Sequence, residues 1–481
     1  MPSKLTAFVR NVLNMPLYQS ASIITALGGF LFGLDTGTVG PVTTMDAFVK
    51  SFGPLSSTLH GVVVSTILIG GTLSGVFAGN FADIYGRIPT ISAGAAIFGI
   101  GAALECVAPK LGVFIFGRFV KGLGEGLFLG TLVVYVCEIA PARRRGPLAS
   151  LIQFLVTIGL ATGFFVSYGT ARIGQSSAAW RSPLAVQALM AFSFAAASMR
   201  LPPSPRWLLA KHRTDEALLT LERLGLDCTE LEQMASRASV ADLHADTSLL
   251  GSIKQNFTDM TRVFSKAARK QTAFACFLMA MQQFSGIDGV LYYAPLLFQQ
   301  AGLASGEASF LASGISALVI FAVTIPASMY VDRMGRRAST IFGGLAMFVV
   351  MTLMGSLYAS RAVHEGHGVA RWIVIVCIYL FAVAFSITWA VSMRIYSSEI
   401  QPAATRASAT NLAQSSNWMA NFIVALTTPI LLARSSFAAY FLFGGCTLLT
   451  VLVCFFFMPE TKGKSLEAID RAFAEHKGPF P

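Results

Sequence analysis

Charged residues are scarce in this 481-residue sequence: Asp, Glu, Lys and Arg make up 12% of it, against roughly 25% in an ordinary soluble domain. This shortage, beside 54% hydrophobic residues, excludes a soluble enzyme. Cysteine is also sparse, and the seven Cys residues lack the clustered spacing of a metal site or a disulfide framework. The apolar runs carry no nucleophile constellation or phosphate-binding loop. We therefore expect no enzyme, no metal and no cofactor.

Twelve apolar runs are long enough to cross a bilayer core about 30 Å thick. They fall at about 21–43, 61–82, 88–108, 112–136, 148–170, 183–200, 272–298, 309–331, 339–359, 371–395, 407–432 and 437–458. We predict an all-α membrane protein with twelve transmembrane helices arranged as two six-helix bundles. The predicted parts are an N-terminal bundle at 1–200, a cytosolic helical linker at 201–270, a C-terminal bundle at 271–458 and a cytosolic tail at 459–481. Within the linker, 215–226 is typical of an amphipathic helix.

The basic residues, which give a net charge of +11, lie at segment ends and so do not indicate a nucleic-acid partner. With the linker inside, the inner loops hold the Arg run 143–145, Arg333, Arg336 and Arg337, whereas the outer loops hold scattered single charges such as Lys50. This bias predicts that both termini lie in the cytosol.

An internal repeat relates the two sets of six runs. EIAPARRRG begins at Glu138 and EIQPAATRA at Glu399, with Pro and Arg at the same offsets; DIYGR begins at Asp83 and DRMGR at Asp332. Matched offsets predict duplication of a six-helix unit in one orientation. Two similar bundles around a central cavity suit alternating access.

Several motifs resemble the sugar porter family of the major facilitator superfamily, over nearly the whole chain. They are GRF at 117, YVCEIAPARRRG from 135, PSPRWL from 203, QQFSGIDGVLYYAP from 282, VDRMGRR from 331, SNWMANF from 416 and PETKGKSLE from 459. The FGLDTG segment around Asp35 is most similar to fungal proton-coupled monosaccharide transporters. The resemblance implies the major facilitator fold and carriage of a monosaccharide, a hexose first, driven by a proton gradient. We expect a monomer in the plasma membrane.

Two charges in the first half share one depth. Asp35 lies about seven residues from the outer end of the first span and Arg118 about six from the outer end of the fourth, so the two can pair. An acid whose surroundings change during the cycle would exchange a proton, and the resemblance points to the same positions. One charge crossing 100 mV is worth roughly 2.3 kcal/mol, enough for about a fifty-fold gradient. The alternative is a static ion pair within the bundle.

Glu125 is a second acid that could carry a proton. It lies four residues from Lys121 and seven from Arg118, on one helical stripe. The alternative is a Lys121 to Glu125 ion pair in which each charge offsets the cost of burying the other in the membrane. Glu105, near the outer end of the third span, is expected at the membrane interface.

Hydroxylated solutes need amide and indole groups in an otherwise apolar cavity. The candidates, which match sugar-contacting or gating positions of the family, are Gln153, Gln282, Gln283, Asn417 and Trp418, together with Asp288. Gly286 and Gly289 could unwind the seventh span so that Gln283 and Asp288 both reach the cavity. Tyr292 and Tyr293 are candidate outer-gate residues, with ordinary packing as the alternative. His60, His364 and His367 are expected in loops.

The sequence departs from the family at four cavity positions. Asp288 replaces Asn, Ile320 replaces Asn, Ser386 replaces Glu, and Arg394 replaces Trp. Depth argues against a direct Asp288 to Arg394 pair. We expect Arg394 to join an inner charge cluster with Glu399 and Arg145, and keep open that it meets an anionic substrate such as a sugar acid.

Acids and bases at the inner ends of spans are predicted to form an inner gate whose ion pairs break on inward opening. The members are Asp83, Arg87, Glu138, Arg145, Asp332, Arg336, Arg394, Glu399, Arg406 and Glu460. Pro203 occupies the position of Glu460 in the first half, so the gate is expected to be lopsided.

Three other functions remain open. A facilitative uniporter would share the fold, but Asp35 argues against it. A carrier of a polyol or sugar acid would use the same cavity. A sugar sensor of this family usually carries a long cytosolic tail, and only a short one follows Met458 here.

Overall fold

Helices form almost all of the chain that the computed structural model describes. The described residues are 15–141, 144–226, 263–265, 268–303, 306–364, 368–402 and 405–462, without the side chains of 306–309, 328–333, 406 and 407. No strand occurs among these residues. A helix satisfies its backbone hydrogen bonds within one segment, as a bilayer requires, and the all-α prediction is confirmed.

The described residues up to 226 form nine helices. They are α1 (Leu17–Thr44), α2 (Asp46–Phe52), α3 (Ser57–Tyr85), α4 (Arg87–Val107), α5 (Leu111–Ile139), α6 (Arg145–Ala171), α7 (Ala178–Ser198), α8 (Pro205–Ala210) and α9 (Thr214–Leu224).

The described residues from 268 onward form nine more. They are α10 (Arg269–Phe284), α11 (Ile287–Tyr292), α12 (Ala294–Gln300), α13 (Gly306–Met334), α14 (Arg336–Ala359), α15 (Ala370–Ile387), α16 (Trp389–Glu399), α17 (Arg406–Arg434) and α18 (Ala438–Phe457).

Each of the twelve predicted runs coincides with a helix or a broken helix. Eleven of the described segments are long and apolar enough to cross a membrane. The remaining one is α7, which carries Arg181 and Gln187 among its apolar residues and packs against α4, α1 and α6. Together they form the predicted twelve-helix fold.

Two spans are interrupted. Gly286 has φ of 89°, a left-handed conformation that other residues adopt at a cost, and it separates α10 from α11 as predicted. The prediction that Gly289 also unwinds the span is wrong. Gly289 lies inside α11, where an added Cβ would be 2.7 Å from Thr428 Oγ1, so it serves close packing. A second break, at Thr388, separates α15 from α16.

The internal sequence repeat corresponds to equivalent positions in the two halves of the structure. Arg87 begins α4 and Arg336 begins α14, each directly after a glycine with positive φ. Arg87 pairs with Glu138 at 2.9 Å, and Arg336 with Glu399 at 3.2 Å. The matched sequence offsets therefore place equivalent ion pairs in the two sets of six spans.

The two halves meet on one side of the membrane and diverge on the other. We call the side on which residues 199–226 lie the linker side, and the other the opposite side. Along α3, an added Cβ at Gly61 would collide with the Leu426 carbonyl oxygen of the second half, and one at Gly71 with the Trp418 ring. Further towards the linker side, a Cβ at Gly79 would meet none of the described residues within 4 Å. The space between the halves therefore opens towards the linker side.

The amphipathic helix predicted for 215–226 forms as α9. Its buried face carries Ala217, Leu221 and Leu224, and the two leucines join a core cluster with Tyr18 and Ala21 of α1. The linker thus begins by docking on the first span. Residues 227–262 of the predicted linker lie outside the described residues.

Candidate functional site

A charged cluster is enclosed within the first half. Arg118 on α5 donates to both carboxylate oxygens of Asp35 on α1, at 2.9 and 3.0 Å. Its other N–H groups reach the carbonyl oxygens of Val63 and Val64 on α3, at 3.2 and 3.0 Å. Asp35 is 4% and Arg118 1% exposed. The predicted pairing of the two residues is found.

Lys121 makes different contacts from those considered. Its Nζ donates to Asp35 at 2.8 Å, to Glu105 at 2.7 Å and to Gln187 Oε1 on α7 at 2.8 Å. The alternative of a Lys121 to Glu125 pair is wrong, because three acceptors on three other helices occupy the ammonium group.

The expected interfacial position of Glu105 is wrong as well. Its side chain is fully buried, because α4 and α5 approach closely at Gly101 and Gly117, where an added Cβ would run into the facing backbone. This close approach brings the Glu105 carboxylate to Lys121.

Glu125 has no such partner. It lies two turns along α5 from Arg118 and is 1% exposed, and neither of its carboxyl oxygens has a hydrogen-bond partner among the described residues. The charges that act on it are those of Asp35, Arg118 and Lys121.

An amide network lies in the second half at the break between α10 and α11. Asn417 Nδ2 on α17 donates to Gln282 Oε1 at 3.0 Å and to the Met279 carbonyl at 2.8 Å. Gln282 Nε2 donates to the Trp389 carbonyl at 2.8 Å, and Gln283 Nε2 donates to Asn417 Oδ1 at 3.2 Å. Gln283 Oε1 is buried without a described partner, so it can accept a hydrogen bond from a hydroxylated solute.

Asp288 lies beside this network and has a partner that the sequence did not single out. Asn421 Nδ2 donates to Asp288 Oδ2 at 2.5 Å. Asn421 lies one helical turn after Asn417, which is the signal that could have identified it. Gln187 was likewise missed, although it is an amide within a predicted span.

The other candidate sugar contacts lie apart from the network. Gln153 on α6 is half-buried, with no hydrogen bond to the described protein. Trp418 is half-buried and packs its ring against Gly71 of α3, so it bridges the two halves.

Arg394 does not join the inner charge cluster in this conformation, contrary to the expectation. The carboxylate of Glu399 is taken by Arg336 at 3.2 Å and by Thr461 Oγ1 at 2.7 Å, and Arg145 donates to the Ala140 carbonyl at 3.0 Å. Arg394 is exposed and makes no ion pair with the described residues. The prediction that Arg394 and Asp288 lie at different depths and do not pair directly agrees with this. Its charge nevertheless acts on Asp288, which indicates that it faces the space between the halves.

Tyr292 and Tyr293 lie where the halves meet on the opposite side. They are 3% and 1% exposed, and Tyr293 Oη donates to the Ala425 carbonyl at 2.7 Å. His60 is not in a solvated loop: its ring lies 5.2 Å from that of Tyr293, and Nε2 is 2.9 Å from Thr43 Oγ1. These contacts close the opposite side.

The linker-side ion pairs of Arg87 and Arg336 with described acids each join spans of the same half. Besides the pairs of Glu138 and Glu399, Arg87 also contacts the largely exposed Asp83 at 2.9 Å. Asp332 and Arg406 fall outside the described side chains.

Glu460 caps the N-terminus of α14. Its carboxylate accepts hydrogen bonds from the backbone N–H groups of Arg336 and Arg337, at 2.9 and 3.1 Å, and from Thr461 and Lys462, both at 3.0 Å. Burial raises the pKa of Glu460, but these hydrogen bonds lower it by more, and the pKa lies below the ordinary 4.5. In the first half Trp207 Nε1 donates to the Asp83 carbonyl at 2.9 Å, so the two halves differ here, as the Pro203 substitution predicted.

Comparison with known proteins decides the family. A model of the family described as sugar (and other) transporter matches residues 21–473. The chain belongs to this family. Its members transport solutes across membranes and are not enzymes, so the predicted sugar porter family and non-enzymatic class are confirmed.

Relatives cover most of the chain. It is 29% identical over 469 residues to the high-affinity glucose transporter of Kluyveromyces lactis, a match covering 94% of this chain and 84% of that one. It is 33% identical over 475 residues to the high glucose sensor RGT2 of Saccharomyces cerevisiae, covering 94% of this chain and 60% of the sensor.

Solved structures of a xylose transporter share the fold. The inward-open conformation of XylE from E. coli superimposes with a TM-score of 0.77 at 26% identity, covering 95% of this chain and 99% of that one. The proton:xylose symporter XylE bound to 6-bromo-6-deoxy-D-glucose superimposes with a TM-score of 0.73 at 26% identity, with the same coverage. These superpositions confirm the major facilitator fold.

Proposed function

We propose that this sugar transporter is a proton-coupled symporter of a monosaccharide, most readily a hexose, working by alternating access. The observation that carries the proposal is the buried acid–base cluster around Asp35 and Arg118, which a passive pore for a neutral solute does not need. Charges inside a membrane are expensive and commonly mark ion or proton pathways. The glucose transporter among the relatives and the proton-symporting structural neighbour support the same reading.

The sugar site of this proposal is the amide network at the broken seventh span. Neutral hydroxyl groups are recognised by groups that both donate and accept hydrogen bonds. Gln282 and Asn417 are held by their mutual bond and by backbone carbonyls. Gln283 has a free buried acceptor. We assign Gln282 and Asn417 to positioning, and Gln283, with Gln153, Asp288 and Trp418, to contact with the solute.

The gates follow from the asymmetry between the two sides. With both termini in the cytosol, as the positive-inside bias indicates, the linker side is cytosolic and the conformation is inward-facing. Tyr292 and Tyr293 then form the closed outer gate. The linker-side charges border the inner opening, and because the Arg87–Glu138 and Arg336–Glu399 pairs are intact in this state, inward opening separates the halves without breaking these two pairs. We place the protein in the plasma membrane as a monomer.

A second candidate substrate is favoured by one observation. Arg394 is an exposed cation with no ion pair among the described residues, facing the space where the solute would bind. A cation in this position suits the carboxylate of a sugar acid. Converting Arg394→Trp would then abolish sugar-acid uptake and leave neutral sugar uptake in place.

The experiment is uptake of labelled D-glucose, D-xylose, a polyol and D-glucuronate by the full chain in proteoliposomes, under an imposed inward proton gradient with and without an uncoupler. Symport predicts accumulation that the uncoupler abolishes. Equilibration without accumulation would mean a uniporter, and binding without uptake would mean a sensor.

A further inference from the structure

Five ionisable side chains are sealed inside the first half, and their charges do not cancel. Three are acids and two are bases, and none is more than 4% exposed: Asp35, Glu105, Glu125, Arg118 and Lys121. If all were ionised, the cluster would carry one net negative charge. A lone buried charge is expensive, and such a group is neutralised instead. One of the three acids therefore holds a proton.

The hydrogen bonds identify which acid is neutral. Asp35 accepts from Arg118 and Lys121, and Glu105 accepts from Lys121. Removing either negative charge would leave a buried cation without its counter-ion. Glu125 has no donor on either oxygen, so its ionised form would be uncompensated while its neutral form costs least.

Neither base donates a hydrogen bond to Glu125. The three protons of Lys121 are engaged by Asp35, Glu105 and Gln187. The guanidinium of Arg118 is engaged by Asp35 and two backbone carbonyls of α3. The cluster thus consists of a fixed network and one neutral acid beside it.

Rigid-body rocking also disfavours Asp35 as the exchanging group. Asp35 and Arg118 lie on α1 and α5 of the same half, so movement of one half against the other leaves their separation unchanged. Movement of the second half instead changes the surroundings of the whole cluster, because Tyr292 lies close enough to interact electrostatically with Glu125, Arg118 and Asp35. The backbone of Tyr292 also lies close against Gly40 of α1, because an added Cβ at Gly40 would collide with the Tyr292 carbonyl oxygen.

We propose that Glu125 is the proton-binding carboxyl of the transport cycle, with the ion-paired network of Asp35, Arg118 and Lys121 fixed beside it and Tyr292 as the cover that seals it on the opposite side; this rests on the symport proposed above. Separation of the halves on the opposite side withdraws α11 and admits water to Glu125. Its carboxylate forms an O–H bond with a proton from a hydronium ion, whose own O–H bond breaks to leave water. On the linker side the same O–H bond breaks and the proton passes to water. The structure is the loaded state, with Glu125 still closed off.

Proton flux and solute exchange separate this role from a structural one. Full-length protein in proteoliposomes is given a D-glucose or D-xylose gradient while a pH-sensitive dye records solute-dependent proton movement. Counterflow of the same sugar at equal pH is measured in parallel. Because Gln is close in shape to a protonated Glu, Glu125→Gln should lose proton movement and keep counterflow, and Glu125→Asp should keep both. Proton movement intact in Glu125→Gln would overturn the assignment.

The wild-type protein offers a second test that does not depend on a variant folding. Infrared spectroscopy at neutral pH should detect the C=O stretch of a protonated carboxylic acid, and Glu125→Asp should shift that band. Absence of any protonated-acid band in the wild type would overturn the assignment. Wild-type counterflow without proton movement would instead defeat the proposed symport, whatever the state of Glu125.

Discussion

Replacing Asp35 by Asn tests the charge count of the buried cluster. The change leaves Arg118 and Lys121 facing Glu105 alone, an excess of one positive charge. In the Asp35→Asn single variant Glu125 is still present and can release its proton, which restores neutrality. The free energy of unfolding should therefore fall by only part of the usual cost of a broken buried ion pair. Glu125→Gln alone exchanges one neutral group for another and should cost about 1 kcal/mol or less.

The double variant has no acid left to compensate. Its free energy of unfolding should fall by about 3 to 5 kcal/mol, the usual cost of leaving a buried charge unpaired. The excess over the sum of the two single effects, about 1 to 3 kcal/mol, would be typical of directly coupled residues. Asp35→Asn combined with Glu460→Gln is the control, because Glu460 lies in the other half and its effect should simply add.

The assay is thermal unfolding of the purified proteins in one detergent at one heating rate, followed by tryptophan fluorescence. The fixed rate matters because such midpoints depend on it when unfolding is irreversible. The midpoint of the double variant should fall well below the value obtained by adding the two single shifts. Simple additivity would refute the idea that Glu125 holds the compensating proton.

Three further changes test other parts of the account. Gly61→Ala places a Cβ against the backbone of the second half, so it should disfavour closure of the opposite side by about 1 to 3 kcal/mol and slow counterflow. Gly79→Ala, on the same helix but with free space around it, should leave counterflow unchanged. Equal effects of the two changes would contradict closure of the opposite side at Gly61. Gln283→Leu should raise the KM for sugar with little change in unfolding midpoint, whereas Gln282→Leu should lower the midpoint, and the reverse pattern would undo the division between contact and positioning. Because the pKa of Glu460 is depressed in the folded protein, its ionised form stabilises the fold above pH 4.5. Glu460→Gln should therefore lower the free energy of unfolding by about 1 kcal/mol or less at neutral pH, and the difference in midpoint between variant and wild type should vanish as the pH falls below the pKa of Glu460 in the folded protein. A difference that does not change with pH would contradict this role.

The spans and the repeat could be read from the sequence because each depends on a local pattern. A bilayer demands a long apolar segment for each crossing, so hydropathy located all twelve. Matched offsets around Glu138 and Glu399 predicted equivalent structures, and Arg87 and Arg336 indeed begin corresponding helices. The glycine at 286 predicted a break because only a residue without a Cβ takes that conformation readily.

The partners of the buried charges were harder to predict. Helical spacing suggested that Lys121 would meet Glu125, but spacing describes only contacts within one helix. Lys121 reaches Glu105 because two helices approach closely at glycines, a feature of tertiary packing. Arg394 was expected near Glu399 for the same local reason, and Glu399 instead binds Arg336 from a different helix.

The roles assigned to Glu125, the amide network and the gates all depend on proton-coupled sugar transport, which one measurement tests directly. Sugar accumulation by the wild-type protein is determined in proteoliposomes across a series of imposed pH gradients at zero membrane potential, using labelled D-glucose. Symport of one proton with each sugar predicts that the ratio of inner to outer sugar rises about tenfold for each pH unit. A ratio that stays at one across the whole series, despite active counterflow, would contradict the account.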